Sequence, residues 1–297
     1  MRTLPLGFSI VIPTFRRRDL LRGCLASCLE QEYPPHEIIV VDDASPDDTA
    51  AMVRSEFPGV LLLRLEHNSG PATARNRGVA AASGDVIVFT DDDCLLPPEF
   101  LARLADGYRT HPEIAGAGGY LDPPAELLGD NPYARYDYHM THTFYGFGPE
   151  PVVGGAECPA GGTHSMSYRA RVLTEVGGFD ESFVSPGGED ADLKNRVVER
   201  GHNLLYLPVR VVHRRRYGFS DFCRQYFAHG RGSSLYRRKH LGAGKGVRRH
   251  GFPLRVGLRV MDLIPDLFRI GPSLTLLKIV AGAAGFAGKL YESYRKR

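Results

Sequence analysis

Three aspartates in a row, Asp91-Asp92-Asp93, close the apolar run 86–89. In an extended segment alternate side chains share a side, so Asp91 and Asp93 project together and Asp92 points away. Gathered carboxylates repel one another unless a cation or a proton neutralises them. An all-oxygen set after a buried strand suits a hard divalent ion. A second pair, Asp42-Asp43, follows the run 38–41; there, capping or turn-making fits as well as ligand binding. Glu189-Asp190 open a helical pattern that runs to about Glu199, with Leu193, Val197 and Val198 on its buried side. Carboxylates at that position cap a helix and complement its dipole. His213 ends the apolar run 209–213, and Arg214, Arg215 and Arg216 follow it. Those arginines could grip phosphate oxygens bidentately, or line a solvated loop.

The elements that must position these groups alternate. Residues 9–13, 38–41, 60–65 and 86–89 are short apolar, β-branched runs. Between them lie helical patterns: Leu20, Leu21, Cys24, Leu25, Cys28 and Leu29; a segment from Asp47 or Asp48 to about Pro58; and 71–82, with a proline in its first turn. A further helix covers 98–111. Strands without polar alternation, separated by helices, predict a parallel sheet covered on both faces. Ligands of such sheets bind outside the carboxyl ends of the strands, where both acidic clusters fall.

The chain has 297 residues, 43% hydrophobic and 24% charged, which excludes a mainly disordered, collagenous or polytopic membrane chain. Five cysteines make no disulfide scaffold, so a reducing, cytoplasmic compartment is expected. The opening apolar run reads as a first strand rather than a leader, since no small-residue cleavage site follows it. The net charge of +3 hides an asymmetry: residues 1–200 carry 17 Lys and Arg against 30 Asp and Glu, and residues 201–297 carry 20 against 4. A basic last third suggests an anionic partner, whether a phosphate-bearing ligand, an anionic membrane or a nucleic acid.

The sequence resembles the family-2 glycosyltransferases of GT-A fold. The resemblance rests on Val11-Ile-Pro-Thr-Phe15, on Val41-Asp-Asp-Ala-Ser45 followed by Asp48, and on the segment 68–78 containing Ala74-Arg-Asn76. It also rests on Phe89-Thr-Asp-Asp-Asp93, Gly177-Gly-Phe-Asp-Glu181 and Gly188-Glu-Asp-Ala-Asp-Leu193. Six motifs in order over roughly 7–215 are a strong signal. The resemblance implies a mostly parallel, Rossmann-like sheet with helices on both faces and a helical, basic C-terminal extension. The transferase domain is expected over 1–217, divided into a nucleotide-sugar half (1–118) and an acceptor half (119–217), with 218–297 as the extension.

The resemblance also implies roles. Pro13, Thr14 and Asp43 would hold the nucleoside, Asp43 accepting from a uracil N3–H. Arg75 would face the base or diphosphate, and Asp91 the ribose. Asp93, joined by His213, would ligate Mn²⁺ or Mg²⁺ at the diphosphate, neutralising charge on the departing nucleotide. Asp190 would be the general base of an inverting displacement, with Glu189 an acceptor contact beside it. Asn76 and Gly78 are expected to be packing and turn residues. The donor would be a nucleotide-sugar, by resemblance a UDP-sugar. The acceptor would be a glycan or a lipid-linked molecule, in polysaccharide or glycolipid synthesis.

Two alternatives are weighed against this. A catalytically inactive protein of the same fold need not keep Asp43, Asp91, Asp93 and Asp190. A nucleic-acid binder using the basic tail lacks a recognisable module, so no nucleic-acid partner is expected. Residues 119–164, rich in Gly, Pro, Tyr and His, show little periodicity. His139 and His142 have nothing nearby to complete a zinc set. Residues 270–288 are a borderline span with Lys278 near the centre; an interfacial or packed helix is the expectation. The basic stretches 245–249 and 295–297 would favour peripheral association with an anionic inner membrane face.

Overall fold

In a computed structural model of the chain, residues 5–184, 186–215, 217–241, 266–267 and 269–294 are described. The basic stretches 245–249 and 295–297 and the residue Arg216 lie outside them. The first half alternates β1 (Phe8–Thr14), α1 (Arg18–Leu29), β2 (Glu37–Asp42), α2 (Thr49–Glu56), β3 (Leu61–Arg64), α3 (Pro71–Ala81), β4 (Val86–Phe89), the two-residue β5 (Cys94–Leu95) and α4 (Phe100–Thr110). Then come β6 (Gly116–Asp122), α5 (Pro132–Phe144), β7 (Val152–Gly154), β8 (Met166–Arg169), α6 (Ala170–Val176), α7 (Glu189–Glu199), β9 (Leu204–His213), α8 (Phe219–Leu241) and α9 (Pro272–Tyr294).

The strands form one sheet in the order β3-β2-β1-β4-β8-β6-β9-β5, with β7 against β9. The pairs β1–β2, β1–β4, β2–β3 and β6–β9 are parallel, and β8 runs antiparallel to both β4 and β6. Alternate residues of β1 serve opposite faces, as a pleat requires. Ile10 and Ile12 pack with Leu21, Leu25, Leu101 and Leu104 of α1 and α4. Val11 packs on the other face with Ala74 of α3, Val172 of α6 and Leu193 of α7. The expected two-faced α/β layer is thus present.

The segment without evident periodicity contains α5. Its aromatic and histidine residues hide the helical period, but Asn131-Pro132 is a legible start. The Asn131 side chain accepts from the N–H groups of Tyr133 and Ala134, with proline in the first turn. His142 pairs with Asp122 at 3.0 Å. α5 packs with α8 and α9 around Tyr136, Phe222, Tyr226, Leu277 and Ala281. Among the described residues α9 alone is long and apolar enough to cross a membrane. Here one of its sides is buried against α8, while Leu276, Ile279, Phe286 and Leu290 stay exposed.

Gly78 shows how closely α3 sits on β1. A Cβ placed there would lie 2.3 Å from Cγ1 of Val11, so the Val11 side chain already fills the place of a methyl and the helix that carries Arg75 rests directly on β1. Gly78→Ala should therefore lower stability by about 1–3 kcal/mol through overpacking. Adding Val11→Ala should recover part of that loss. Urea unfolding of the single and double variants measures both, and additive effects would break the link between the two positions.

Candidate functional site

The crevice lies where the parallel strands end. β1 delivers Thr14, β2 delivers Asp42 and Asp43, and the turn after β4 delivers Asp91, Asp92 and Asp93. The Asp43 carboxylate accepts from the backbone N–H of Ser69 (2.7 Å) and of Gly70 (2.9 Å). It thereby fixes the loop that leads into α3. Each oxygen keeps a further lone pair. Asp42 is fully buried and accepts from the Ser45 N–H. Pro13 and Thr14 stand beside this loop, the carbonyl of Thr14 accepting from the Asp43 N–H.

The three aspartates separate by partner. Asp91 accepts from Nη2 of Arg75 at 2.8 Å and is the most open of them, with a third of its side chain exposed. Asp92 accepts from the Thr14 hydroxyl at 2.7 Å and from Nη1 of Arg17 at 2.9 Å. Burial pushes its carboxyl up to about 7, against the pull of Arg17. Asp93 shares that same Nη1 at 2.6 Å, and its other oxygen lies 3.3 Å from Nε2 of His213. Although buried, it is held well below the ordinary carboxylate range by His213 and Arg17. Strand register brings this pair together, because Cys94 of β5 lies opposite His213 of β9.

A carboxylate and an imidazole at Asp93 and His213, with Asp91 close by, form a donor set that fits Mn²⁺ or Mg²⁺. Asp91, Asp93 and Cys94 bring ligand atoms within 4.8 Å of one another. The Cys94 thiol is pushed far up by burial and by Asp93. Fully buried and a soft donor, it belongs to the core rather than to the donor set of a hard ion.

Arg75 is 4% exposed and spans the crevice. Its Nη1 donates to Glu189 at 3.0 Å while Nη2 holds Asp91. The structure thus puts Arg75 on two carboxylates, where the sequence suggested the nucleotide. Glu189 is equally committed. Its second oxygen accepts from the Gly187 N–H at 2.7 Å, so its carboxylate ties the entry of α7 to α3. Asn76, one residue on, anchors the same helix through Phe179 and Glu181.

Asp190, in the first turn of α7, bonds among the described residues only locally, through Oδ1, to the Ala191 N–H. Burial and the Glu189 charge push its carboxyl up to about 7, against the pull of Arg75. It lines a cavity of about 50 Å³ with Gly187, Gly188 and Ala191, closed by His229, Ser233 and Tyr236 of α8. Gly187 and Gly188 have φ of 108° and 93°, and a Cβ on Gly232 of α8 would sit 1.7 Å from the Gly187 carbonyl oxygen. Only glycines allow that approach.

Sequence reasoning left several of these residues unnamed. Arg17 sat in a basic run beside Arg16 and Arg18. His164, half-buried and lowered to about 4 by desolvation, lies near Asp91 and His213; its signal was the Gly161-Gly162 turn before β8. His229 of α8 lies in no motif that marks it. Arg215 of the basic run is paired with Asp137 of α5.

The profile of the family described as Glycosyl transferase family 2 matches residues 9–160, and that of Glycosyl transferase family group 2 matches 86–284. The pre-mycofactocin glycosyltransferase of Mycobacterium tuberculosis is 33% identical over 209 residues, 69% of this chain and 42% of that protein. The glycosyltransferase AglE of Haloferax volcanii is 26% identical over 214 residues, 69% of this chain and 65% of its own. The chain thus spans less than two thirds of the length of these relatives. Among solved structures, the mannosyltransferase PcManGT from Pyrobaculum calidifontis superposes with a TM-score of 0.65 at 18% identity, over 99% of this chain and 89% of that one. GalNAc-T7 superposes with a TM-score of 0.55 at 18% identity, over 78% and 50%. The fold is GT-A, and with a family profile over half of its length and a relative one-third identical over more than two thirds of it, the chain belongs to glycosyltransferase family 2.

Proposed function

We propose that the protein is an inverting, metal-dependent hexosyltransferase that moves a sugar from a nucleoside-diphosphate sugar to an acceptor hydroxyl. The observation that carries this reading is the meeting of two separate groups in one crevice. Asp91, Asp93 and His213 line the strand ends, and Asp190, a carboxylate of raised basicity with no cation hydrogen-bonded to it among the described residues, opens the helix beside them. One base without a paired carboxylate nucleophile suits single displacement. We assign Pro13, Thr14 and Asp43 to the nucleoside and Asp91 to the ribose. The donor half spans 1–118 and the acceptor half 119–217, with α8 of the 218–297 extension closing the Asp190 cavity. Arg75 and Glu189 are positioning residues that hold α7 against the donor side.

Asp93 and His213 would hold the Mn²⁺ or Mg²⁺, which when bound neutralises charge gathering on the leaving diphosphate. The protein's own work is to orient the donor beneath the turn after β4 and to take the acceptor proton at Asp190. The structures similar in fold carry GDP-mannose with Mn²⁺ and UDP with Mn²⁺, and a UDP-sugar is the donor we favour. A relative acting as a glucosyl-dolichyl phosphate glucuronosyltransferase and the apolar outer side of α9 support a lipid-linked or glycan acceptor. They also support peripheral attachment at the cytoplasmic face of an anionic membrane.

Calorimetry with UDP, GDP, dTDP and CDP, each with and without Mn²⁺, tests the donor site. One nucleotide should bind tightly and only with metal; no binding of any by folded protein would overturn the assignment. His213→Ala should weaken Mn²⁺-dependent binding of that nucleotide about tenfold or more, and unchanged affinity would overturn its place in the metal site. Asp190→Asn should keep nucleotide affinity and lose roughly 10²–10⁴-fold in transfer. As a base, Asp190 works only when deprotonated. The wild-type rate should therefore fall as pH drops through about 7 and level off above it. A rate flat from pH 5 to 8 would count against Asp190.

A further inference from the structure

We propose that Arg17 is an internal counter-cation that makes metal binding depend on the diphosphate. This rests on the assignment of Asp93 and His213 as metal ligands. Asp93 offers two oxygens, of which Oδ2 is held by Arg17 at 2.6 Å and Oδ1 faces His213 at 3.3 Å. The same Arg17 nitrogen also holds Asp92 at 2.9 Å. A divalent ion arriving at Asp93 must therefore displace or crowd a cation that already neutralises two buried carboxylates. Two positive charges on one carboxylate are unfavourable, so the ion alone competes poorly.

The arginines described around the crevice differ in their freedom to yield. Arg75 is enclosed between Asp91 and Glu189, and Arg215 is buried against Asp137. The Arg17 side chain is 47% exposed and stands just before the first turn of α1, so it can swing outward at little packing cost. A diphosphate entering the crevice offers it new anionic oxygens, to which guanidinium binds bidentately. Asp92 keeps the Thr14 hydroxyl when Arg17 leaves. Metal and diphosphate then bind as a unit, each raising the affinity for the other by the same factor.

The test is Mn²⁺ titration of the full chain, by calorimetry and by the electron paramagnetic resonance signal of free Mn²⁺, with and without UDP. The proteins are wild type, Arg17→Gln, Arg17→Ala and Arg17→Lys, with thermal melting to confirm folding. Arg17→Gln keeps a hydrogen-bond donor without the charge, so it serves even where Arg17→Ala unfolds. The neutral variants should bind Mn²⁺ alone about tenfold tighter than wild type, within the usual range of coupling energies. They should also lose most of the gain in Mn²⁺ affinity that UDP gives the wild type, while Arg17→Lys stays near wild type. Equal Mn²⁺ affinity in all four proteins overturns the role of Arg17 and leaves the metal site standing. Mn²⁺ binding to Arg17→Gln that survives Asp93→Asn, or no Mn²⁺ binding by any protein even with UDP, overturns the metal site and this role with it.

Discussion

Carboxylates repel, and this protein brings Asp91, Asp92, Asp93, Glu189 and Asp190 to one crevice. Two like charges 4 Å apart repel by about 4 kcal/mol at the effective dielectric of a protein surface. That exceeds what an ordinary exposed ion pair returns, so each carboxylate needs a committed partner. Arg75 serves Asp91 and Glu189, Arg17 serves Asp92 and Asp93, and His213 serves Asp93. A buried pair of this kind seldom adds net stability over an apolar substitute. Its effect here is positional, since the Arg75 bridge joins the helix before β4 to the helix that bears Asp190.

That bridge explains features far from the charges. α3 must lie close on β1 for Arg75 to reach both carboxylates, which is why Gly78 faces Val11 without a side chain of its own. α7 must enter from a left-handed Gly187-Gly188 turn, which also donates an N–H to Glu189. α8 then presses Gly232 onto that turn. Within this frame Asp190 is the carboxylate without a cation hydrogen-bonded to it among the described residues. Its raised basicity comes from burial and from the Glu189 charge beside it.

The donor side was legible in the sequence because its residues follow directly from strand ends. Once residues 38–41 and 86–89 are read as buried parallel strands, Asp43, Asp91 and Asp93 must lie at one edge of the sheet. The cations were harder to see. Arg75 sits in a helix whose small residues give little amphipathic contrast, and its partners lie 16 and 114 residues away. Arg17 was hidden by equally charged neighbours, since a run of arginines does not say which one turns inward. Glu189 read as an acceptor contact because adjacency to Asp190 is visible in sequence and a salt bridge to α3 is not. α5 was missed because Tyr and His blur the apolar period, although its Asn-Pro start was present.

The C-terminal helices bear on what the acceptor must be. Their basic charge is partly consumed internally: Arg231 and Arg238 meet at the buried Glu292, and Lys239 reaches Asp180 and Asp192. The net positive count of the last third therefore overstates what α8 and α9 offer outward. The outer side of α9 is instead apolar, with Leu276, Ile279, Phe286 and Leu290 at helical spacing. The inner side of the same pair supplies His229, Ser233 and Tyr236 to the Asp190 cavity. Close backbone contacts such as Gly230 on Gly285 and Gly288 on Phe227 leave the two helices little room to slide. The helix pair thus joins the apolar outer face of α9 to the wall of the Asp190 cavity. The proposed lipid-linked acceptor matches that pairing, because its apolar part and its reacting hydroxyl would meet the two sides of a single helix pair.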